Sequence, residues 1–217
     1  MINIILIGAP GAGKGTQAAR LLKTYNLTYI ATGDVIRDEI RNNTPLGEKV
    51  KMYSDKGLLA PDELVTEIIE NRLQLCKDRF LLDGYPRNIN QAELLDDIIR
   101  SNNITDPYIF YIDVPESELV KRLTNRLYCP QCKKVFNRIN NLPGNTENCD
   151  ICGNVLVKRN DDDIEIVKKR LEVFFNETYP LVDYYGQYKR FYKINGNATE
   201  DEVYNQIVGK IDDNIEK

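Results

Sequence analysis

The chain of 217 residues contains no histidine. That absence excludes imidazole acid–base catalysis, Ser–His triads and any metal site that needs an imidazole ligand. Chemistry here must run on lysine, arginine, carboxylates and thiolates. Transfer between phosphates suits that inventory, because a phosphate acceptor is already an anion at neutral pH (second pKa about 6) and needs no general base. Also missing is any apolar run long enough to cross a membrane. There is no internal repeat and no low-complexity segment. A basic surplus is absent too: 29 Lys and Arg against 33 Asp and Glu leave a net charge of −4, which argues against a nucleic-acid binder. The first residues enter a strand-like run at once, so no signal peptide is expected, and a cytoplasmic location follows as the default. The length suits one good core with a small inserted lobe.

The feature that is most strongly present is Gly8-Ala-Pro-Gly11-Ala12-Gly13-Lys14-Gly15-Thr16. It follows the apolar run Ile2–Ile7 and precedes Gln17–Lys23, a run of helix formers. Strand, glycine-rich turn and helix are the context of a phosphate-binding loop. Glycines let successive N–H groups converge on one oxyanion, and the helix N-terminus adds partial positive charge there. Lys14 would reach the β- and γ-phosphates. Gly15 occupies the usual Ser/Thr place, and Thr16 follows it. The loop alone identifies a P-loop NTPase and leaves its substrate open.

Strand-like runs recur at Ile2–Ile7, Phe80–Leu82, Tyr108–Val114 and Phe191–Ile194, with Tyr29–Ala31 a further short candidate. Helical patterns lie between them. The expected fold class is α/β, with a parallel sheet covered by helices on both faces. A helix is expected from Pro61, with Leu64, Ile68, Leu75 and Cys76 on or near one face, another from Pro115, and a third over Ile164–Phe175. Residues 32–60 read as polar and helical, punctuated by Gly33, Gly47 and Gly57. Residues 127–160 are rich in Asn, Pro and Cys. Both segments read as insertions standing on the sheet rather than as parts of its core.

Four of the five cysteines form a paired CxxC array: Cys129 and Cys132, then Cys149 and Cys152. The spacing is that of a zinc ribbon, and without histidine a Cys₄ tetrahedron is the available cysteine–histidine set. The alternatives are free thiols or two disulfides, the latter disfavoured in a reducing compartment. A nucleic-acid ribbon is the rival use, but Lys133, Lys134 and Arg138 make no dense basic–aromatic patch. A structural Zn²⁺ holding a lobe too poor in apolar residues to fold unaided is the expectation. Cys76 reads as a buried thiol.

Asp83 ends the strand in Leu81–Arg87, where P-loop proteins hold the acid that reaches Mg²⁺ through water. Gly84 permits close approach of a ligand, and Arg87 is free to meet a phosphate. Arg122 and Arg126 share a helix face at i, i+4. Arg159 precedes Asp161-Asp-Asp163, and Arg170 follows in the next helix. Two polyphosphate chains meeting end to end call for several guanidinium forks.

These motifs together resemble the adenylate kinases, from residue 1 to about 210. The matching stretches are GAPGAGKGT at 8–16, Ala31–Arg37, Leu81–Arg87, Asp113–Pro115, the cysteine lobe, Arg159–Asp162 and Lys169–Leu171. The cysteine lobe is similar to that of the long-lid, zinc-binding bacterial type. The resemblance implies a P-loop core over 1–30, 61–125 and 164–217, a helical NMP-binding insertion over 31–60, and a zinc-binding lid over 126–163. It implies reversible phosphoryl transfer from MgATP to AMP, giving two ADP, by a monomer that uses Mg²⁺ with ATP and binds neither nucleic acid nor membrane. Lys14, Asp83, Arg87, Arg122, Arg126, Arg159 and Arg170 would carry the transfer. Gly11, Ala12, Gly13, Lys14, Gly15 and Thr16, with Arg126, Val135, Phe136 and Ala198, would bind ATP. AMP would meet Thr32, Arg37, Leu58, Leu59, Ala60, Gly84, Tyr85, Pro86, Arg87, Gln91, Arg159 and Arg170, with Gln91 offering a paired donor and acceptor to the base. Asp161 and Asp162 match acids at the lid hinge. The chain departs from the family pattern at Tyr85, where phenylalanine is usual. It departs again in the lid, which has Asn137 and Asn140–Gly144 in place of a histidine and an FNPPK-like run. A UMP/CMP kinase or a GTP-dependent AMP kinase is the near alternative, and a zinc-ribbon P-loop binding module the distant one.

Overall fold

A computed structural model describes residues 1–54, 60–76, 78–139, 142, 144 and 147–215. Five strands form one parallel sheet: β1 (Ile4–Ile7), β2 (Thr28–Ala31), β3 (Phe80–Asp83), β4 (Tyr108–Asp113) and β7 (Phe191–Asn195), in the order β2-β3-β1-β4-β7. All four residues of β1 are buried, as expected of the central strand of a parallel sheet covered on both faces. Its register sets Ile4 beside Leu81 of β3 and Tyr108 of β4.

Side-chain alternation along the strands divides the core into two layers. Ile5, Ile7, Phe80, Leu82, Ile109 and Tyr111 face one way. They are covered by α4 (Asp62–Cys76), α5 (Ile89–Ser101), α6 (Glu116–Thr124), α7 (Ile164–Val173) and α8 (Leu181–Gly186). Ile4, Leu6, Leu81, Tyr108 and Phe110 face the other way, under α1 (Lys14–Tyr25) and α9 (Glu200–Ile215). Among the described residues no helix is long and apolar enough to cross a membrane.

Two helices, α2 (Thr32–Arg41) and α3 (Pro45–Ser54), fill the polar segment after β2. The expectation that this segment stands off the core is corrected: Val35 and Val50 are buried in the larger hydrophobic layer. Gly47 lies inside α3 rather than breaking it. A Cβ there would sit 2.1 Å from the Glu39 carbonyl oxygen, so glycine is what allows α3 to cross α2 so closely. Leu75 is also corrected. The buried face of α4 centres on Val65, Ile69 and Leu73, and Leu75 in the last turn is 79% exposed.

The segment after α6 builds a second, two-stranded sheet from β5 (Arg126–Tyr128) and β6 (Val135–Asn137), which are antiparallel. Bridges from Tyr128 to Val157 and from Asn148 to Val155 fold the returning chain onto it. Its buried cluster is small: Leu127, Cys129, Phe136, Cys149 and Leu156. So few apolar side chains do not hold a lobe of this length by burial alone.

Candidate active site

The glycine loop follows the carboxyl end of β1, the central strand. Gly11 and Gly13 take φ of 86° and 95°, where a side chain would strain the backbone. A Cβ on Gly11 would also lie 2.9 Å from Leu123, so the loop lies tightly against α6. Lys14, the first residue of α1, folds back over the loop, donating to the Gly8 carbonyl at 2.7 Å and to that of Ala9 at 3.2 Å. Its pKa is held below the usual lysine value, first by burial and then by the positive charges of Arg87, Arg170 and Arg126; Asp83 opposes them. The same relations show which groups converge. Arg87 also feels Asp83 and Arg170, and Arg159 feels Arg126, Asp161, Asp162 and Arg170. Lys14, Asp83, Arg87, Arg126, Arg159 and Arg170, scattered over the sequence, are thus linked in one cluster by one another's charge, with Lys14 and Asp83 just past or at the carboxyl ends of β1 and β3.

On one side of the cluster, Gly84 has φ of 82° and its carbonyl accepts from Arg87 Nε at 2.9 Å. The Thr32 hydroxyl lies near the same spot, since a Cβ on Gly84 would sit 3.8 Å from Thr32 Oγ1 and 3.5 Å from the Arg87 guanidinium. Thr32 Oγ1 is buried without a hydrogen-bond partner. A buried orphan hydroxyl beside an arginine is a position shaped for an anionic ligand. Tyr85, expected among the ligand contacts, is 1% exposed. Its ring lies in the core, and its hydroxyl bonds to Thr66 Oγ1 at 2.7 Å and donates to the Gln91 carbonyl at 3.2 Å. Only its backbone remains for a ligand. Pro86, joined to Tyr85 by a cis bond, is buried too. Gln91 is buried and already bonded at both ends of its carboxamide, to Asp62 and to the Arg87 backbone N–H. Arg37 is not part of the converging group; it is largely exposed and paired with Asp34. Ala60 packs against the larger core layer. Leu58 and Leu59 lie outside the described residues.

On the other side, Arg126 makes a two-pronged pair with the fully buried Asp162, at 2.8 and 2.5 Å. Arg170 bonds to the Asp161 carbonyl and carboxylate, both at 2.9 Å, and approaches Asp162 at 3.5 Å. Arg159 lies over the Tyr128 ring, 5.2 Å from its centroid. Burial, followed by the charge of Arg126, lowers its pKa. Arg122 stands apart from these, donating to the Gly196 carbonyl at 3.0 Å and pairing with Glu118. It therefore braces the turn that carries the half-buried Ala198. The Phe136 ring is 2% exposed in the small lobe's core, with Lys134 Nζ above it, which leaves the backbone of Phe136 for a ligand. Its neighbour Val135 is 40% exposed.

Sequence reasoning missed two polar side chains. Tyr29 donates to the Asp83 carboxylate at 2.9 Å, and Asp62 gathers Asn88, Asn90 and Gln91. Asp62 had the signal of an acid in the first turn of a helix and nothing more, because its partners lie 26 to 29 residues away.

The four cysteines of the small lobe come together with their Sγ atoms all within 4.8 Å of one another. Cys129 is 3.3 Å from Cys152, and Cys132 is 3.4 Å from Cys149. Tetrahedral Zn–S bonds of about 2.3 Å give S···S edges of about 3.8 Å, so the set can hold a metal ion. Each CxxC forms the same turn: Lys133 N bonds to the Cys129 carbonyl and Gly153 N to the Cys149 carbonyl, both at 2.9 Å. Lys133 and Gly153 both have positive φ, of 65° and 72°. Two equivalent knuckles facing each other are the donor set that a closed structural site requires.

Residues 6–190 match the family model described as Adenylate kinase. The chain is 43% identical over 208 residues to an adenylate kinase of Thermoanaerobacter sp. (strain X514), covering 95% of this chain and 96% of that one. It is 47% identical over 186 residues to one from Caldicellulosiruptor bescii (85% and 86% covered), and 43% identical over 211 residues to one from Mycoplasma capricolum subsp. capricolum (97% and 99% covered). With matches that span nearly the whole length, and with the loop, the converging arginines and the cysteine lobe in one structure, the chain belongs to the adenylate kinase family.

Proposed function

We propose that this chain transfers the γ-phosphoryl group of MgATP reversibly to AMP, giving two ADP, with each converging side chain in a definite role. The observation that carries the reading is the gathering of Lys14, Arg87, Arg126, Arg159 and Arg170 within reach of one another's charge, against three acids, Asp83, Asp161 and Asp162. Five cations suit two phosphate chains meeting end to end. The loop from Gly11 to Thr16 and Lys14 would hold the donor phosphates, with Ala198 and the exposed Val135 near the donor nucleoside. Thr32 Oγ1, the Gly84 backbone and Arg87 would take the acceptor phosphate, with Gln91 on its base and Arg37 and Ala60 flanking it. Arg126, Arg159 and Arg170 would stabilise charge on the group in transit, once phosphate oxygens replace Asp161 and Asp162 as their partners.

The acceptor phosphate attacks as an anion, so catalysis is positioning plus electrostatic stabilisation of an in-line transfer. Mg²⁺ travels with ATP and supplies neutralising charge at the phosphates; Asp83 and Thr16 are the groups that would hold its hydration shell. Residues 31–60 would act as the acceptor lobe and 126–163 as a lid that excludes water from the transfer. In the lid Zn²⁺ would be structural, because four thiolates leave no open position. Four cysteines kept as thiolates fit a reducing, cytoplasmic setting, and the site is complete within one chain, which fits a monomer.

Arg87→Ala tests the acceptor assignment. It is expected to raise the KM for every nucleoside monophosphate about tenfold or more, since a hydrogen-bonded charge is lost, while leaving the KM for ATP nearly unchanged. A rise confined to ATP would overturn the assignment.

A further inference from the structure

A knot of side chains ties the start of α4 to the start of α5. The Asp62 carboxylate accepts from Asn88 Nδ2 at 2.9 Å, from Asn90 Nδ2 at 3.1 Å and from Gln91 Nε2 at 2.6 Å. Asn88 caps α5 by accepting from the Gln91 backbone N–H at 2.8 Å. Gln91 Oε1 accepts from the Arg87 backbone N–H, also at 2.8 Å. Burial pushes the Asp62 pKa up, but the bonds from Asn90, Asn88 and Gln91 outweigh it and hold the carboxyl below its ordinary value. It is therefore an anion that only accepts hydrogen bonds.

This arrangement leaves the Gln91 carboxamide a single orientation. A primary amide has two N–H donors and two carbonyl lone pairs. Asp62 occupies one donor and Arg87 N–H one lone pair, so one N–H and one lone pair of the carboxamide remain for a base. That free pair matches the adenine edge, where the N6 amino group donates and N1 accepts. A hypoxanthine or guanine edge has the reverse polarity: O6 accepts and N1–H donates. To read it the amide must flip, which would set Oε1 against the Asp62 carboxylate and an N–H against the Arg87 N–H. Both contacts are repulsive, and in a buried setting each unsatisfied group is costly.

We propose that Asp62 is a positioning residue for acceptor-base specificity: by holding Gln91 Nε2 it fixes the carboxamide to read adenine and to reject bases whose edge has the opposite polarity. The proposal rests on the reading of Gln91 as the base contact. Asp62 touches no substrate and acts through Gln91 alone.

The probe is IMP, which differs from AMP by a 6-oxo group and a proton on N1 in place of the 6-amino group. The ratio of kcat/KM for AMP over IMP is measured with MgATP in the wild-type chain and in Asp62→Asn, Asn90→Ala and Gln91→Ala. In Asp62→Asn the new amide can donate to a flipped Gln91, and the ratio is expected to fall about tenfold. Asn90→Ala removes a bond to the same carboxylate without releasing Gln91, and should keep the ratio even if it melts lower. A collapsed ratio in Gln91→Ala with an unchanged ratio in Asp62→Asn would overturn the role of Asp62 alone. An unchanged ratio in Gln91→Ala would overturn the base contact itself. Should Asp62→Asn fail to fold, the wild-type chain decides by NMR. The Gln91 side-chain amide signals, identified by their loss in Gln91→Ala, should include one proton protected from solvent exchange. Rapid exchange of both protons would contradict the lock.

Discussion

Lys14 shows at the scale of one residue how function is set against stability. Its ammonium is held among Arg87, Arg126 and Arg170 in a partly desolvated site, where its two loop carbonyls and Asp83 compensate incompletely. In the role proposed for it, phosphate oxygens would complete the balance. The depressed pKa has a definite consequence. Between the folded value and the unfolded value near 10.5, the unfolded chain binds the additional proton, so stability rises with pH across that window. Below it the folded chain carries the full penalty of the charge. Lys14→Met is accordingly expected to lower kcat at least about a hundredfold, yet to melt no lower than the wild type at neutral pH. Any gain should shrink as the pH approaches 10.5. Steady-state rates and melting curves at several pH values check both halves. A variant with near-normal turnover would contradict the loop assignment, and one that melts much lower would contradict the electrostatic account.

Single elements were legible in the sequence to the extent that their signals are local. β1, β3 and β4 are short buried runs with little polar character to obscure them, while the edge strands β2 and β7 are each buried at one residue and carry a weaker signal. The glycine loop and the CxxC pairs are spacing motifs whose geometry the backbone alone dictates. What escaped depends on partners distant in sequence. Val35 and Val50 are among a few apolar positions in otherwise polar helices, and their burial goes with the close crossing of the two helices at Gly47. Phe136 and Tyr85 belong to stretches whose motifs suggested ligand contact, but local packing claims their rings. The knot around Asp62 has no sequence pattern at all.

The cysteine lobe makes its own prediction at this scale. Its buried cluster is too small to fold it, so chelation should unfold it. A loss of even about 2 kcal/mol lowers the Tm of a chain this size by about 4–8 °C. Metal analysis of reduced protein should find one zinc per chain. Activity assayed with Mg²⁺ restored should fall, because Arg126 and Arg159 lie in the lobe, but not vanish, because Lys14, Arg87 and Arg170 lie outside it. Protein purified without metal, or a Tm indifferent to a strong chelator, would contradict the structural role.

For the whole molecule, the net charge of −4 conceals a local excess of cations, Lys14 and four arginines beside three acids. The cations are gathered where two anionic substrates would meet. Asp162 and Asp161 hold Arg126 and Arg170. A buried pair of this kind adds little net stability but keeps the guanidinium groups in place. Phosphate binding would exchange these partners and couple the lid to the donor nucleotide.

The most direct test of the account is the mass balance of the reaction over a panel of nucleotides. The purified chain is incubated with MgATP and AMP, GMP, CMP or UMP in turn, and with MgGTP and AMP, and the products are separated by chromatography. The account predicts that ATP and AMP disappear one for one, that two ADP form for each pair, that almost no inorganic phosphate appears, and that the other combinations are much slower. Preference for CMP or UMP, a requirement for GTP, or phosphate release without ADP formed from AMP would contradict it.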